Sequence, residues 1–210
     1  EHRQTVMNVY ADSLAYVDSQ LARLFEHIKR RGLWDNTIVI LSADTGQAFY
    51  EHGFAGHANM LFNEVMHVPL IIRAPGAAPR VDTRVAQHID VPPSILHLLC
   101  LPPHPAFQGM NLFEKNPPKD RSVYLVVQAP LARQYAIVRS GYKLVYDAQG
   151  DRRFLFDLKR DPGERNDVAD SHPELARRLA VRLDTWRKLQ IEYYRDLNRH
   201  GRFYPPVLKD

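Results

Sequence analysis

The chain has one cysteine, Cys100, in 210 residues. That excludes an internal disulfide framework and any zinc site built from several thiolates. No apolar stretch approaches the ~20 residues that a bilayer-spanning helix needs. No signal-peptide pattern opens the sequence, so a soluble chain is expected. Charge of one sign is scarce: 28 Lys and Arg against 24 Asp and Glu leave +4 with the ten His neutral. The densest basic run, Lys29-Arg30-Arg31, ends a predicted helix, where cations suit the dipole, and later bases are interleaved with acids. No nucleic-acid partner is expected. There is no internal repeat. What is present is an ordinary globular balance, 45% apolar and 25% charged, enough for a sizeable core.

From about residue 8 to 31, Tyr10, Leu14, Val17, Leu21, Leu24 and Ile28 recur at helical spacing, and Gly32 supplies a stop. Residues 37–41 are short, β-branched and apolar, which predicts a strand covered on both faces. A polar loop follows, with Asp44, Thr45 and Gly46, then Glu51-His52-Gly53 and Gly56-His57. In open α/β sheets the ligand crevice lies beyond the carboxyl ends of the strands, so this loop is the first place to look for chemistry. Residues 68–72 predict a second strand, and residues 90–99 a short proline-started helix with Cys100 as a small hydrophobe in its last turn.

A boundary is expected near residue 118, dividing 1–118 from 119–210. Beyond it, four short strand-like runs centred on Leu125, Ala136, Leu144 and Leu155 predict an antiparallel sheet, with Ser140-Gly141 as a hairpin turn. Ser171-His172-Pro173-Glu174 predicts the start of a helix capped by Ser171, whose stripe of Leu175, Leu179, Leu183, Trp186 and Tyr193 packs across that sheet. The fold class is therefore α/β, followed by a small antiparallel sheet and a C-terminal helix.

From the residues alone, Asp44, His52 and His57 can ligate a divalent ion or position and protonate an ester oxygen, with Glu51 and Glu64 nearby. From spacing alone the signal is weak, and capping and turn roles on an ordinary surface loop are the favoured account. Ser42, Thr45 and Ser94 are hydroxyls outside any glycine-flanked nucleophile elbow, so cap or turn roles are expected. His88 and Asp90 read as structural. The acids of Asp161-Pro162-Gly163-Glu164 read as solvated turn residues.

The order of these signatures resembles the C-terminal half of sulfatases and related enzymes of the alkaline-phosphatase superfamily. The resemblance rests on Gly32-Leu33-Trp34-Asp35-Asn36-Thr37, Ala43-Asp44-Thr45-Gly46, Glu51-His52-Gly53, Gly56-His57, Glu64, Val68-Pro69 and Pro75-Gly76. It continues through Gly109-Met110-Asn111-Leu112, Tyr142-Lys143-Leu144, and the stretches 154–158 and 161–166. It implies a partial sulfatase-like α/β core over 1–118 and the family's small-sheet subdomain over 119–210. It also implies metal-dependent cleavage of sulfate esters by a complete parent, or phosphoryl or phosphoethanolamine transfer by a relative. By resemblance, Asp44 matches a metal-binding aspartate and Thr45 stands where the family has His or Asn. His57 matches the position of a catalytic, substrate-binding group, and His52 is an outer substrate-site group.

Calcium or magnesium is the favoured ion, with manganese a further candidate, because a neutral hydroxyl suits hard cations better than zinc. A nucleophile is absent from these 210 residues. The N-terminal half of the domain, with its acidic ligands and a Cys, Ser, Thr or formylglycine nucleophile, is expected in a longer parent. The expected partners are that missing half, a sulfate- or phosphate-ester substrate, and a second copy through exposed sheet edges. A periplasmic, extracellular or membrane-anchored parent is compatible with the family, and a degenerate non-catalytic binding domain is the non-enzyme alternative.

Overall fold

The computed structural model describes residues 2–57, 59–118, 120–130 and 132–208. The chain forms two compact units, Glu1–Ala58 with Asn63–Val81, and Asn59–Phe62 with Asp82–Asp210. The boundary near residue 118 expected from the sequence falls inside the second unit.

In the first unit, α1 spans His2–Arg30 and begins well before the apolar period does. Its first turns are polar, so hydrophobic spacing alone could not locate the start. It ends as Gly32 predicts: the residue is left-handed (φ 67°), its N–H reaches Lys29 O and the Leu33 N–H reaches Ile28 O, a Schellman closure. No side chain of α1 is buried, and Leu14, Val17 and Leu24 stay about half exposed. Strand β1 (Val39–Ser42) pairs antiparallel with β4 (Leu70–Arg73), Ile40 opposite Ile72. The expected double coverage of β1 is not met among the described residues, since every residue of the strand is half-buried or exposed. Its apolar side chains exceed what this unit can cover. Between these strands lie a two-pair hairpin, β2 (Ala48–Phe49) with β3 (Ala55–Gly56), and the single turn α2 (Asn63–Met66).

In the second unit, α3 spans Val91–Leu98. Cys100 lies beyond the helix and not in its last turn, being exposed with φ 55°. There it ends α3 with the same closure as Gly32, its N–H on His97 O and the Leu101 N–H on Leu96 O. Four antiparallel strands follow in sequence order: β5 (Val123–Ala129), β6 (Ala132–Arg139), β7 (Tyr142–Asp147) and β8 (Arg152–Asp157). Ser140 and Gly141, at φ 55° and 83°, make the tight β6–β7 turn as the sequence predicts, both in the left-handed region a primed turn requires.

Alternation then sorts the side chains. Ile137, Leu144 and Leu155 are cross-strand partners and pack with Leu179 and Leu183 of α4 (Pro173–Arg195). On the opposite face Val145 and Phe156 meet Leu61 and Phe62 around a recess of about 30 Å3, too small for a substrate. Helix α4 starts with Pro173 in its first turn, as expected, but Ser171 does not cap it. Its hydroxyl donates to Val168 O at 3.0 Å. A last turn, α5 (Leu197–His200), follows. Among the described residues no helix is long and apolar enough to cross a membrane.

One polar group differs from its sequence reading and another agrees with it. Glu164 is not a solvated turn acid. It is fully buried and paired with the fully buried Lys143 at 2.7 Å, a partner 21 residues away that turn composition cannot reveal. Asp90 is structural, as expected, and wholly buried. It accepts the Met110 N–H at 2.9 Å and both Arg121 guanidinium arms at 2.6 Å.

Candidate active site

The loop singled out in the sequence lies within the first unit, and its geometry follows from how β1 ends. Ser42 donates its hydroxyl to Pro69 O at 2.8 Å, closing the β1–β4 ladder. Asp44 follows, exposed. The backbone then runs against α2: the Gly46 N–H donates to Val65 O at 2.7 Å. A Cβ at Gly46 would stand 2.2 Å from Glu64 O, so only glycine permits this approach. Thr45, half-buried, turns its hydroxyl toward Gly46 O at 3.2 Å and Val65 O at 3.4 Å.

The hairpin β2–β3 carries the rest. Ala48 faces Gly56, so the next positions outward are Gln47 and His57. The His57 Nδ1 lies 3.2 Å from Gln47 Oε1, and the ring is exposed. At the tip, Tyr50 and Gly53 adopt positive φ, and the Tyr50 N–H donates to Phe54 O at 2.9 Å. His52 is turned inward, its Nδ1 2.6 Å from Glu64 Oε1. Glu51 accepts the Phe49 N–H and pairs with Arg3 at 3.1 Å. Burial raises the Glu51 pKa, but hydrogen bonds from the Phe49 and Glu51 amides and Arg3 outweigh it and hold the carboxyl below its ordinary range.

The candidates thus divide by exposure. Asp44 and His57 are presented to solvent, Thr45 is half-buried, and His52 is committed to Glu64. Gln47 and Arg3 were missed by sequence reasoning. For Gln47 a signal existed, because pairing Ala48 with Gly56 sets Gln47 beside His57. For Arg3 none did, since its partners Phe49 and Glu51 lie more than 40 residues away. Ser94 has no nucleophilic freedom: its buried hydroxyl donates to Asp90 O and accepts the Leu112 N–H.

Asp44 and Thr45 are the candidate residues that could offer oxygen to a cation. A carboxylate and a hydroxyl are oxygen donors of the type that hard cations take. The number of donors is short of what such ions take, six or more. Among the described residues no three His, Cys, Asp or Glu side chains converge to hold a metal.

Known proteins resemble the chain as follows. The sulfatase family matches residues 1–100. An N-acetylglucosamine-6-O-sulfatase of Bacteroides thetaiotaomicron is 27% identical over 180 residues, covering 79% of this chain and 32% of that protein. A solved protein in complex with its substrate D-glucosamine-2-N,6-O-disulfate superposes with a TM-score of 0.70 at 25% identity, over 83% of this chain and 39% of its own. The phosphonate monoester hydrolase of Agrobacterium radiobacter gives 0.67 at 26% identity over the same shares. The chain therefore spans about a third of the length of the curated relative.

Proposed function

The chain carries the fold of the sulfatase/alkaline-phosphatase superfamily, and on that premise we propose that it is the C-terminal portion of a metal-dependent sulfatase-like hydrolase that cleaves sulfate esters. The observation that carries this reading is the junction at Asp44-Thr45-Gly46. Inside the segment matched to sulfatases, the Gly46–Val65 contact fixes the backbone while Asp44 is left exposed at the end of β1.

In this reading residues 1–118 belong to the catalytic core and 119–210 to its appended subdomain. Asp44 and Thr45 contribute two oxygen donors to a calcium, magnesium or manganese ion. Such an ion, when bound, lowers the cost of negative charge on the transferred group. The remaining donors and the nucleophile, a hydroxyl or formylglycine, come from the missing N-terminal half. Support for this is the one-third coverage of the curated relative and the incompletely covered β1 and α1. His57, its Nδ1 turned to Gln47, offers the other ring nitrogen to the transferring oxyanion or leaving oxygen. His52 stands behind it as an outer-site group. The parent's location follows the family's exported or membrane-anchored members.

The likeness to a phosphonate monoester hydrolase favours a second reading, in which the parent acts on a phosphorus ester. The neutral Thr45 and the short donor set favour a third, a degenerate binding domain.

One experiment separates them. The full-length protein is assayed on matched sulfate and phosphonate esters with calcium, magnesium or manganese, beside its Asp44→Asn variant. Sulfate turnover that falls at least about 100-fold in the variant supports the leading reading. Preference for the phosphonate ester supports the second, and no turnover of either supports the third.

A further inference from the structure

We propose that His52 and Glu64 form a clamp that positions the hairpin bearing His57, so that His52 serves the site through Glu64 and not by touching substrate; this rests on the reading of His57 given above. The hairpin β2–β3 has only two residue pairs, and a hairpin that short is marginal by itself. Its tip contains two residues of left-handed backbone, Tyr50 and Gly53. Side-chain ties must therefore hold it.

Three groups of ties do. Arg3 binds Phe49 O and Glu51 from α1, and Gln47 meets His57 across the hairpin base. A side-chain tie to α2 is made by His52 to Glu64, 2.6 Å between groups only 16% and 13% exposed. A carboxylate only accepts, so the imidazole donates through Nδ1. The charge-assisted bond in a mostly dry setting is stronger than a neutral one in water.

The place of Glu64 makes the tie specific to the site. Glu64 stands in the first turn of α2, and the next residue, Val65, receives the Gly46 N–H. One helical turn thus pins the loop twice, beside Asp44 through Gly46 and at the hairpin through His52. His57, whose own bond to Gln47 is longer and exposed, takes its place from these two anchors. An inward-facing, carboxylate-bound imidazole is poorly placed to meet an ester directly. As a positioning residue it needs only its Nδ1–H.

The test uses the full-length protein. An asparagine at position 52 keeps a donor near Nδ1 and removes the Nε2 side of the ring. A glutamine places its amide near Nε2 and loses the Nδ1 donor. His52→Gln and Glu64→Gln are each expected to speed amide exchange over residues 47–57 by about tenfold or more. They also lower kcat by about tenfold to hundredfold with little change in KM. His52→Asn recovers most of both effects, and in a His57→Ala background the substitutions still speed exchange but cost no further kcat.

Equal loss of activity in His52→Asn and His52→Gln, with exchange unchanged, means that His52 contacts substrate and overturns the clamp. Unchanged exchange in Glu64→Gln overturns it whatever the kinetics. If exchange responds as expected but the wild-type protein turns over no ester, the clamp stands and the functional reading falls.

Discussion

Single residues carry much of the site's precision through backbone proximity. Gly46 sits so close to α2 that an added Cβ would meet Glu64 O at 2.2 Å. Backbone cannot yield as a side-chain end can, so Gly46→Ala is expected to cost about 1–3 kcal/mol, read as a lower urea midpoint. Turnover by the full-length protein should fall with it. A second residue-scale test concerns acid. Asp161 Oδ2 accepts the Arg165 and Asn166 N–H groups at 2.8 Å each. The Asn166 amide foremost, partly opposed by burial and then aided by the Arg165 amide, holds its carboxyl below the usual range. A depressed carboxyl contributes stability that is present above the ordinary value, about 3.9, and is lost as pH falls through the folded value. Asp161→Asn should therefore lower Tm at neutral pH, and the difference should shrink as the pH falls from that ordinary value through the depressed folded one. A difference constant with pH would overturn that account.

At the scale of elements, the four-stranded sheet and α4 form the best-specified part of the chain. Strand alternation places Ile137, Leu144 and Leu155 on one face, and the 3.6-residue period of α4 sets Leu179 and Leu183 over them. Leu183→Ala, at 1% exposure, should cost about 2–5 kcal/mol, measured by denaturant unfolding of the full chain. Much of this region was legible in the sequence because its signals are local: strand alternation, a Ser-Gly turn, a proline at a helix start. The candidate loop was legible only as chemistry. Its Asp and His residues stand out by type, but their surroundings depend on the register of a two-pair hairpin and on α2, neither of which has a strong local code.

For the molecule as a whole, the two units differ in how well they are covered. The second unit buries both faces of its sheet, whereas in the first α1 has no buried residue and Ile71 of β4 is 58% exposed. Apolar surface and strand edges of this kind favour self-association. Residues 1–210 alone are expected to sediment increasingly as dimer over about a hundredfold rise in concentration, with negligible ester turnover. A monomer throughout would remove the proposed homodimer. Robust turnover that survives a contaminant check would remove the proposal that the nucleophile lies elsewhere.

The sequence by itself determined the elements whose causes are nearest neighbours: the Gly32 helix stop, the left-handed Ser140-Gly141 turn, the strand alternation, and the residue types of the Asp44–His57 loop. The tertiary structure decided whatever depends on partners far along the chain. It buried Glu164 against Lys143, drew His52 to Glu64, set Gln47 beside His57, and tied Arg3 to the hairpin. The physical reason is that backbone preference acts over a few residues. For the buried pairs the choice of partner is made by desolvation, which no residue experiences until distant segments have closed over it, and for the exposed ones by which distant segments the fold brings within reach.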